Sequence, residues 1–358
     1  MTKVISECSP ENALWAAEEF INYFKNFTSI EDYLRFAKGE AVSSVGVLGG
    51  ISDKDKFFNE DVHPEDMEFE IKNVGDRFND DVSQEFYIKY LTATSSHVIE
   101  HNIPGRELRW LVREKNSGKI MGFIRFGSPT INSKPRNNWL GKAPDLSVFN
   151  RHAVMGFAIV PSQPFGFNYL GGKLLAGICC SHLARRTLSE KYNTDFCMFE
   201  TTSLYGSTKQ VSQYDGMKPF LRYAGLTLSD FVPAINDEKY HDLRKWFEDR
   251  NKGPLIDEDA SSRKLKTQTK MISIIRNSLE GKDLETFKTA LVDAKGLTEK
   301  KRTFISTYGY DNVADYLNLE TDTLTKRPNY DRFELELPIV CLLWLLFIRV
   351  APSKGCSS

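Results

Sequence analysis

The stretch from Ala153 to Ser203 constrains this chain more than any other. It opens on the apolar run "AVMGFAIV", turns through "PSQPFGFNYLGG", continues as "KLLAGICCSHLARR" and closes on "DFCMFETTS". In the order strand, bare turn, helix, strand, this is an α/β layer arrangement whose strand feeds a helix through a glycine turn, the usual place for a ligand in open α/β sheets. A helix from about Leu170 to Tyr192 is expected.

The flanks fit the same sheet. In "ELRWLVREKNSGKIMGFIRFG" the residues Leu108, Trp110 and Val112 alternate before the Asn116-Ser117-Gly118 turn, and Ile120, Gly122 and Ile124 return, which is a hairpin pattern. "DVSQEFYIKYLTATSSHVIEHNIPG" reads as a helix stopped by Pro104 and Gly105. Residues 10–40 carry apolar side chains at helical spacing and read as two short helices before a glycine-containing linker. From Ser261 to Leu317 the pattern is helical, and lysine and arginine outnumber the acids. The expected organisation is an N-terminal helical segment and linker (1–60), an α/β domain (61–235), a basic helical appendage (236–336) and an apolar tail (337–358).

Composition excludes more than it selects. A formal net charge of -1 over 358 residues leaves any nucleic-acid contact to local basic patches. Six cysteines without a C-x-x-C pair, and an N-terminus without a signal-peptide profile, lead to the expectation of a reducing cytoplasm. The longest apolar run, "LPIVCLLWLLFI", is shorter than the roughly 20 residues of a spanning helix, so no membrane span is expected.

The glycine turn admits two readings. A helix N-terminus exposes backbone N–H groups and partial positive charge, so Gly171 and Gly172 would let a pyrophosphate approach; small residues in a first turn also serve close helix-strand packing. A Walker loop is absent, because Gly172-Lys173 is followed by Leu174, and so is a G-x-G-x-x-G fingerprint. "HVIEH", His97 to His101, fits an inverted zinc-protease signature, but the next residues end its helix, and no metal is expected. Cys179-Cys180 on an apolar face reads as packing.

The block "GFAIVPSQPFGFNYLGGKLLAGI" resembles the acyl-CoA pyrophosphate loop of the GNAT N-acyltransferase superfamily. Val160-Pro161 ends the strand and Gly171 stands at the second glycine of the Q/R-x-x-G-x-G/A signature, while Tyr169 replaces its first glycine and Gly166 its Arg or Gln. A second resemblance covers about residues 88–230. "GRELRWLV", "GKIMGFIRFGSP", "RNNWLG", "NYLGGKLLAGICCSHLARR", "KYNTDFCMFETTSLYG" and "YDGMKPFLRYAGLT" follow the order of the DruA-type domain of Druantia anti-phage systems and phage genomes. In layout that domain is similar to the phage Mu Mom DNA-modification protein.

These resemblances imply a GNAT-like mixed central sheet flanked by helices, with a helical C-terminal appendage, and an acyl-CoA or related acyl donor held by Val160, Asn168, Leu170, Gly171, Gly172 and Lys173. Acyl transfer to an amine needs a proton acceptor and an acid for the thiolate. Glu200, a carboxylate in an apolar strand, is the candidate base, with a structural arginine partner as its alternative explanation. Tyr205 and Tyr214 are the candidate acids. Arg109, Arg125 and Arg136 are candidate phosphate clamps, and Trp110, Trp139 and Phe220 candidate stacking surfaces for an extruded base. The expected function is a GNAT-like transferase modifying a DNA base amine in a phage or anti-phage setting. The alternatives are a non-catalytic DNA-binding or sensor module and an acyltransferase acting on a small molecule or protein.

Overall fold

The hairpin forms where the alternation places it. Strands β2 (Glu107–Glu114) and β3 (Ile120–Gly127) pair antiparallel, with Trp110 opposite Ile124 and Leu111 opposite Phe123. Their turn is tied down by Glu114, whose carboxylate accepts the Ser117 N–H at 2.7 Å. The structure, a computed structural model, describes residues 4–44, 66–75, 82–95, 99, 105–162, 171–204, 206, 209–228, 234–257, 263–297 and 299–334. These fall into two units: residues 1–44, 96–98 and 230–299 form one, and residues 45–95, 99–229 and 300–358 the other.

The second unit is built on a seven-stranded sheet. Besides the hairpin it contains β1 (Phe69–Asn73), β4 (Ala153–Pro161), β5 (Met198–Ser203), β6 (Arg222–Leu226) and β7 (Arg302–Ser306), in the order β1-β2-β3-β4-β5-β7-β6. β4 and β5 run parallel; all other neighbours are antiparallel. A mixed central sheet flanked by helices is the architecture that the resemblance implies.

Helices cover both faces, because side chains alternate along each strand. On one face Trp110, Ile124, Phe126, Val154, Phe199 and Phe304 pack with the helix Gly171–Cys179. On the other, the helix Gln84–Thr94 covers β2, β3 and β4, while the short helices Lys134–Leu140, Leu146–His152 and Val313–Leu317 cover Ala153, Met198 and Ile305. In chain order these helices are α3 (84–94), α4 (134–140), α5 (146–152), α6 (171–179) and α11 (313–317).

The single helix expected from Leu170 to Tyr192 is two. Ser181 breaks it and caps α7 (His182–Tyr192), accepting the Ala184 N–H through its hydroxyl. His182, fully buried at the start of α7, reaches the Tyr330 carbonyl at 3.1 Å and takes an N–H from Arg185 on its Nδ1 at 3.3 Å. Burial, helped by the Arg185 charge, brings its pKa down to about 4.

The imidazole is therefore neutral in the folded protein and binds a proton more readily in the unfolded chain. Its stabilising contribution is complete above about pH 6.5 and is lost as the pH falls through 4. The stability of the wild-type protein is expected to fall by about 2 kcal/mol more between pH 7.5 and pH 5 than that of His182→Asn. Urea unfolding of both at the two pH values checks this, and equal pH dependences would refute it.

The first unit is helical. α1 (Pro10–Phe24) starts on a proline and buries Ala13, Ala16, Ala17 and Phe20. It packs on α9 (Arg263–Ser278) and α10 (Gly281–Gly296), with Phe20 edge-on to Phe287 at 6.4 Å. α2 (Ile30–Ser44) and α8 (Asp237–Asn251) complete it, tied in by Tyr33, whose hydroxyl donates to the Ala234 carbonyl at 2.8 Å.

Two boundaries differ from the sequence reading. The N-terminal helices belong with the later helices rather than to a segment of their own. The helical appendage expected over 236–336 stops at Gly296, and residues 302–306 return to the sheet as β7. Among the described residues no helix is long and apolar enough to cross a membrane, and the tail from Leu337 lies outside them.

Candidate active site

The parallel pair at the centre of the sheet is short. β4 meets β5 from Ala153↔Met198 to Gly156↔Thr201, and there the ladder ends. β4 continues to Pro161 along β3, and β5 continues to Ser203 along β7. The β5-facing peptide groups of residues 157–161 therefore have no strand partner among the described residues. An opening between two strands with a bare backbone edge is a place where an extended chain of amides can add.

Glu200, paired with Met155, lies one residue before the last pair of that ladder. Its side chain shares a sheet face with Met198, against α4 and α5, and is 2% exposed. Arg136 of α4, itself fully buried, donates from Nη1 to Glu200 Oε1 at 3.3 Å and to the Thr130 carbonyl at 2.7 Å. Nη2 donates to the Ile131 carbonyl at 3.1 Å and to Asn137 Oδ1 at 3.2 Å, and Nε to the same Oδ1 at 3.3 Å. All five guanidinium donors are thus used, and the Phe149 ring stacks beneath at 4.2 Å.

Glu200 is less well served. Oε1 takes the Arg136 bond and a long one, 3.5 Å, from the Thr130 hydroxyl; Oε2 is buried without a partner. Burial pushes the carboxyl pKa above its ordinary value, and Arg136 pulls it back only in part. Thr303, opposite Thr202 on β7, lies on the same face because Ile305 does, and its hydroxyl oxygen is likewise buried and unpartnered. Sequence reasoning missed Thr303, since its strand reads as part of a helical region.

The other candidate residues do not gather around Glu200. Tyr214 is on the opposite face, buried among Phe304, Cys179 and Leu174, and its hydroxyl bonds with the Gln213 and Thr201 side chains. Burial raises its pKa further above the ordinary value, which makes it a poor proton donor to a thiolate. Thr201 in turn donates to the Gly156 carbonyl at 2.9 Å.

This polar string answers one question about the glycine turn. A Cβ at Gly172 would lie 2.1 Å from Gln213 Oε1, so Gly172 is bare to admit Gln213, whereas Gly171 holds φ 53°, in the left-handed region that favours glycine. Both begin α6, with Lys173 half-buried behind them, and Val160 is half-buried on β4. Asn168, Leu170 and Tyr205 lie outside the described residues, as do His97 and His101.

Of the nucleic-acid candidates, Arg136 is enclosed as described and is not offered to a phosphate. Arg109 is buried beside Arg125, and both donate to Glu107 Oε1, at 2.9 and 2.6 Å. Trp110 and Phe220 are core residues, Trp110 donating its indole N–H to Asn73 at 2.7 Å. Trp139 is half-exposed and packs against the cluster around Leu140. Among the described residues no three His, Cys, Asp or Glu side chains gather to hold a metal ion.

Residues 52–215 match the family model described as Druantia protein DruA, which bears out that resemblance over this span. No curated protein matches the chain. Among solved structures, one titled "Tandem GNAT protein from the clavulanic acid biosynthesis pathway (without AcCoA)" is 12% identical, with 69% of this chain and 71% of that one covered and a TM-score of 0.20. At that score the description of the sheet rests on its strand order alone.

Proposed function

We propose that the sheet unit is a GNAT-like transferase, from a phage or an anti-phage system and working in the cytoplasm, that moves an acyl group from acyl-CoA or a related donor to an amine of a DNA base. The observation that carries this reading is the buried, half-satisfied carboxylate of Glu200 beside the opening of β4 from β5. A base is useful near neutral pH when its pKa is raised toward the working value, and burial raises this one.

In the proposed step the amine nitrogen bonds to the acyl carbonyl carbon, and Glu200 Oε2 takes the proton that nitrogen sheds. Thr303 Oγ1, on the same face, accepts the second N–H and orients the amine. The C–S bond then breaks, and the thiolate leaves with a proton from Tyr205 or from water. The thioester, when bound, supplies the activated carbonyl. The bare edge of β4 suits the amide-bearing arm of such a donor, and the opening residues of α6 suit its pyrophosphate.

Calorimetric titration with acetyl-CoA tests the donor. The wild-type protein is expected to bind in the micromolar range and Gly171→Glu at least tenfold more weakly, because the new side chain is strained at that φ and puts a negative charge on the phosphate seat. Absence of binding by a folded wild-type protein would sink the reading.

A second reading, a DNA-binding or sensor module that has lost the donor site, is favoured by Gln213. Its amide fills the space above Gly172, so the bare backbone there serves packing. DNA binding without any acetyl-CoA signal would establish it. Acetyl-CoA binding without DNA affinity would instead support acylation of a small molecule or a protein.

A further inference from the structure

α9 has a buried side and an outward side. Met271, Ile274, Ile275 and Ser278 lie on the buried side, together with Thr267 and Gln268. The opposite arc carries Arg263, Lys266, Thr269, Lys270, Ser273, Arg276 and Asn277, and over its 16 residues "RKLKTQTKMISIIRNS" the helix has five cations and no acid. Steps of three and four residues keep Arg263, Lys266, Lys270, Ser273 and Arg276 in one file, about 20 Å long at 1.5 Å per residue.

Elsewhere in this unit Lys239 pairs with Glu19, Arg244 with Glu248 and Lys288 with Glu285. Arg263, Lys270 and Arg276 form no ion pair among the described residues. Like charges spaced along a helix repel one another, so the arrangement costs stability in isolation and is relieved by a polyanion lying along it.

We infer that the outward face of α9 is a docking surface for the phosphate backbone of duplex DNA. The choice of occupant follows from what the face lacks. Met271, Ile274 and Ile275 are buried, Ile272 is half-buried and Leu265 is 40% exposed, so the helix presents one exposed apolar side chain rather than the broad apolar face that sinks into a lipid surface. What it presents is cations with hydroxyls and amides between them, the side chains that hold phosphate oxygens without reading bases. Binding here is independent of sequence and strongly dependent on salt. The inference rests on DNA being the partner and is indifferent to whether the sheet unit transfers an acyl group.

The test is fluorescence anisotropy of a labelled 20-base-pair duplex with the full chain at 50 to 300 mM salt. It compares wild type, the triple variant Arg263→Gln, Lys270→Gln, Arg276→Gln, and the control Lys295→Gln on α10. The triple variant is expected to bind at least tenfold more weakly at 100 mM salt and to lower the slope of log K against log salt by about 2 to 3, near 0.9 per phosphate contact removed. The control is expected to match wild type, and circular dichroism confirms that all are folded. Unchanged affinity and slope in the triple variant overturn the surface but leave the DNA reading intact. A wild-type protein that binds no duplex, or binds only phosphatidylserine vesicles, overturns both.

Discussion

Replacing Arg136 by methionine is expected to lower the unfolding free energy by about 3 kcal/mol at pH 7.5, the cost typical of stranding one partner of a buried ion pair. The side chain is fully buried and uses all its donors, so its loss frees Glu200 Oε1 and two carbonyls, those of Thr130 and Ile131. The deficit is expected to shrink at pH 5.5. Without Arg136 the folded-state pKa of Glu200 rises further above its unfolded value, so the folded variant holds a proton that the unfolded chain gives up, and its stability falls as the pH rises through that window. Adding Glu200→Leu removes the stranded charge and should restore part of the loss. It cannot restore the carbonyl bonds. Urea unfolding of the three proteins at both pH values measures each term, and a cost under 1 kcal/mol for Arg136→Met would show that the pair does not anchor α4.

That pair also shows what the sequence could and could not disclose. A lone carboxylate in "FCMFETT" is visible as an anomaly, and a structural arginine partner is its simplest explanation. The partner's identity is not visible, because Arg136 sits 64 residues earlier in a seven-residue helix that reads as a loop. Here the structural explanation holds without excluding the chemical one: the arginine satisfies one carboxylate oxygen and leaves the other bare.

The hairpin was legible because strict alternation of Leu108, Trp110 and Val112 and a glycine turn leave little choice. β7 was not. Its five residues, "RTFIS", follow two lysines and precede a tyrosine-rich turn, so nothing local separates them from the helices before them. They become a strand because their backbone groups pair with β5 on one side, from Phe199 to Ser203, and with β6 on the other. The glycine turn was ambiguous for a similar reason. Whether Gly172 makes room for a ligand or a neighbour depends on Gln213, which is 41 residues away in the chain.

Glu200→Gln is expected to reduce acyl transfer by 10² to 10⁴-fold, about the usual contribution of a general base, while changing stability far less than Arg136→Met. Glutamine keeps the size of the side chain and an oxygen for Arg136 and Thr130, so a packing role alone would be largely preserved. What it removes is the acceptor for the amine's proton. The wild-type rate should climb with pH through a limb centred above the ordinary carboxylate value of 4.5, since burial raises the Glu200 pKa and the deprotonated form is the active one. Thr303→Val should weaken acceptor binding and leave the position of that limb unchanged, because the hydroxyl orients the amine and takes no proton. Mass analysis of nucleosides from duplex DNA incubated with acetyl-CoA supplies the rate, and free thiol release supplies it independently of the acceptor. A Glu200→Gln protein that transfers at the wild-type rate, with the same pH limb, would return the carboxylate to a purely structural role and leave the opening between β4 and β5 without a base.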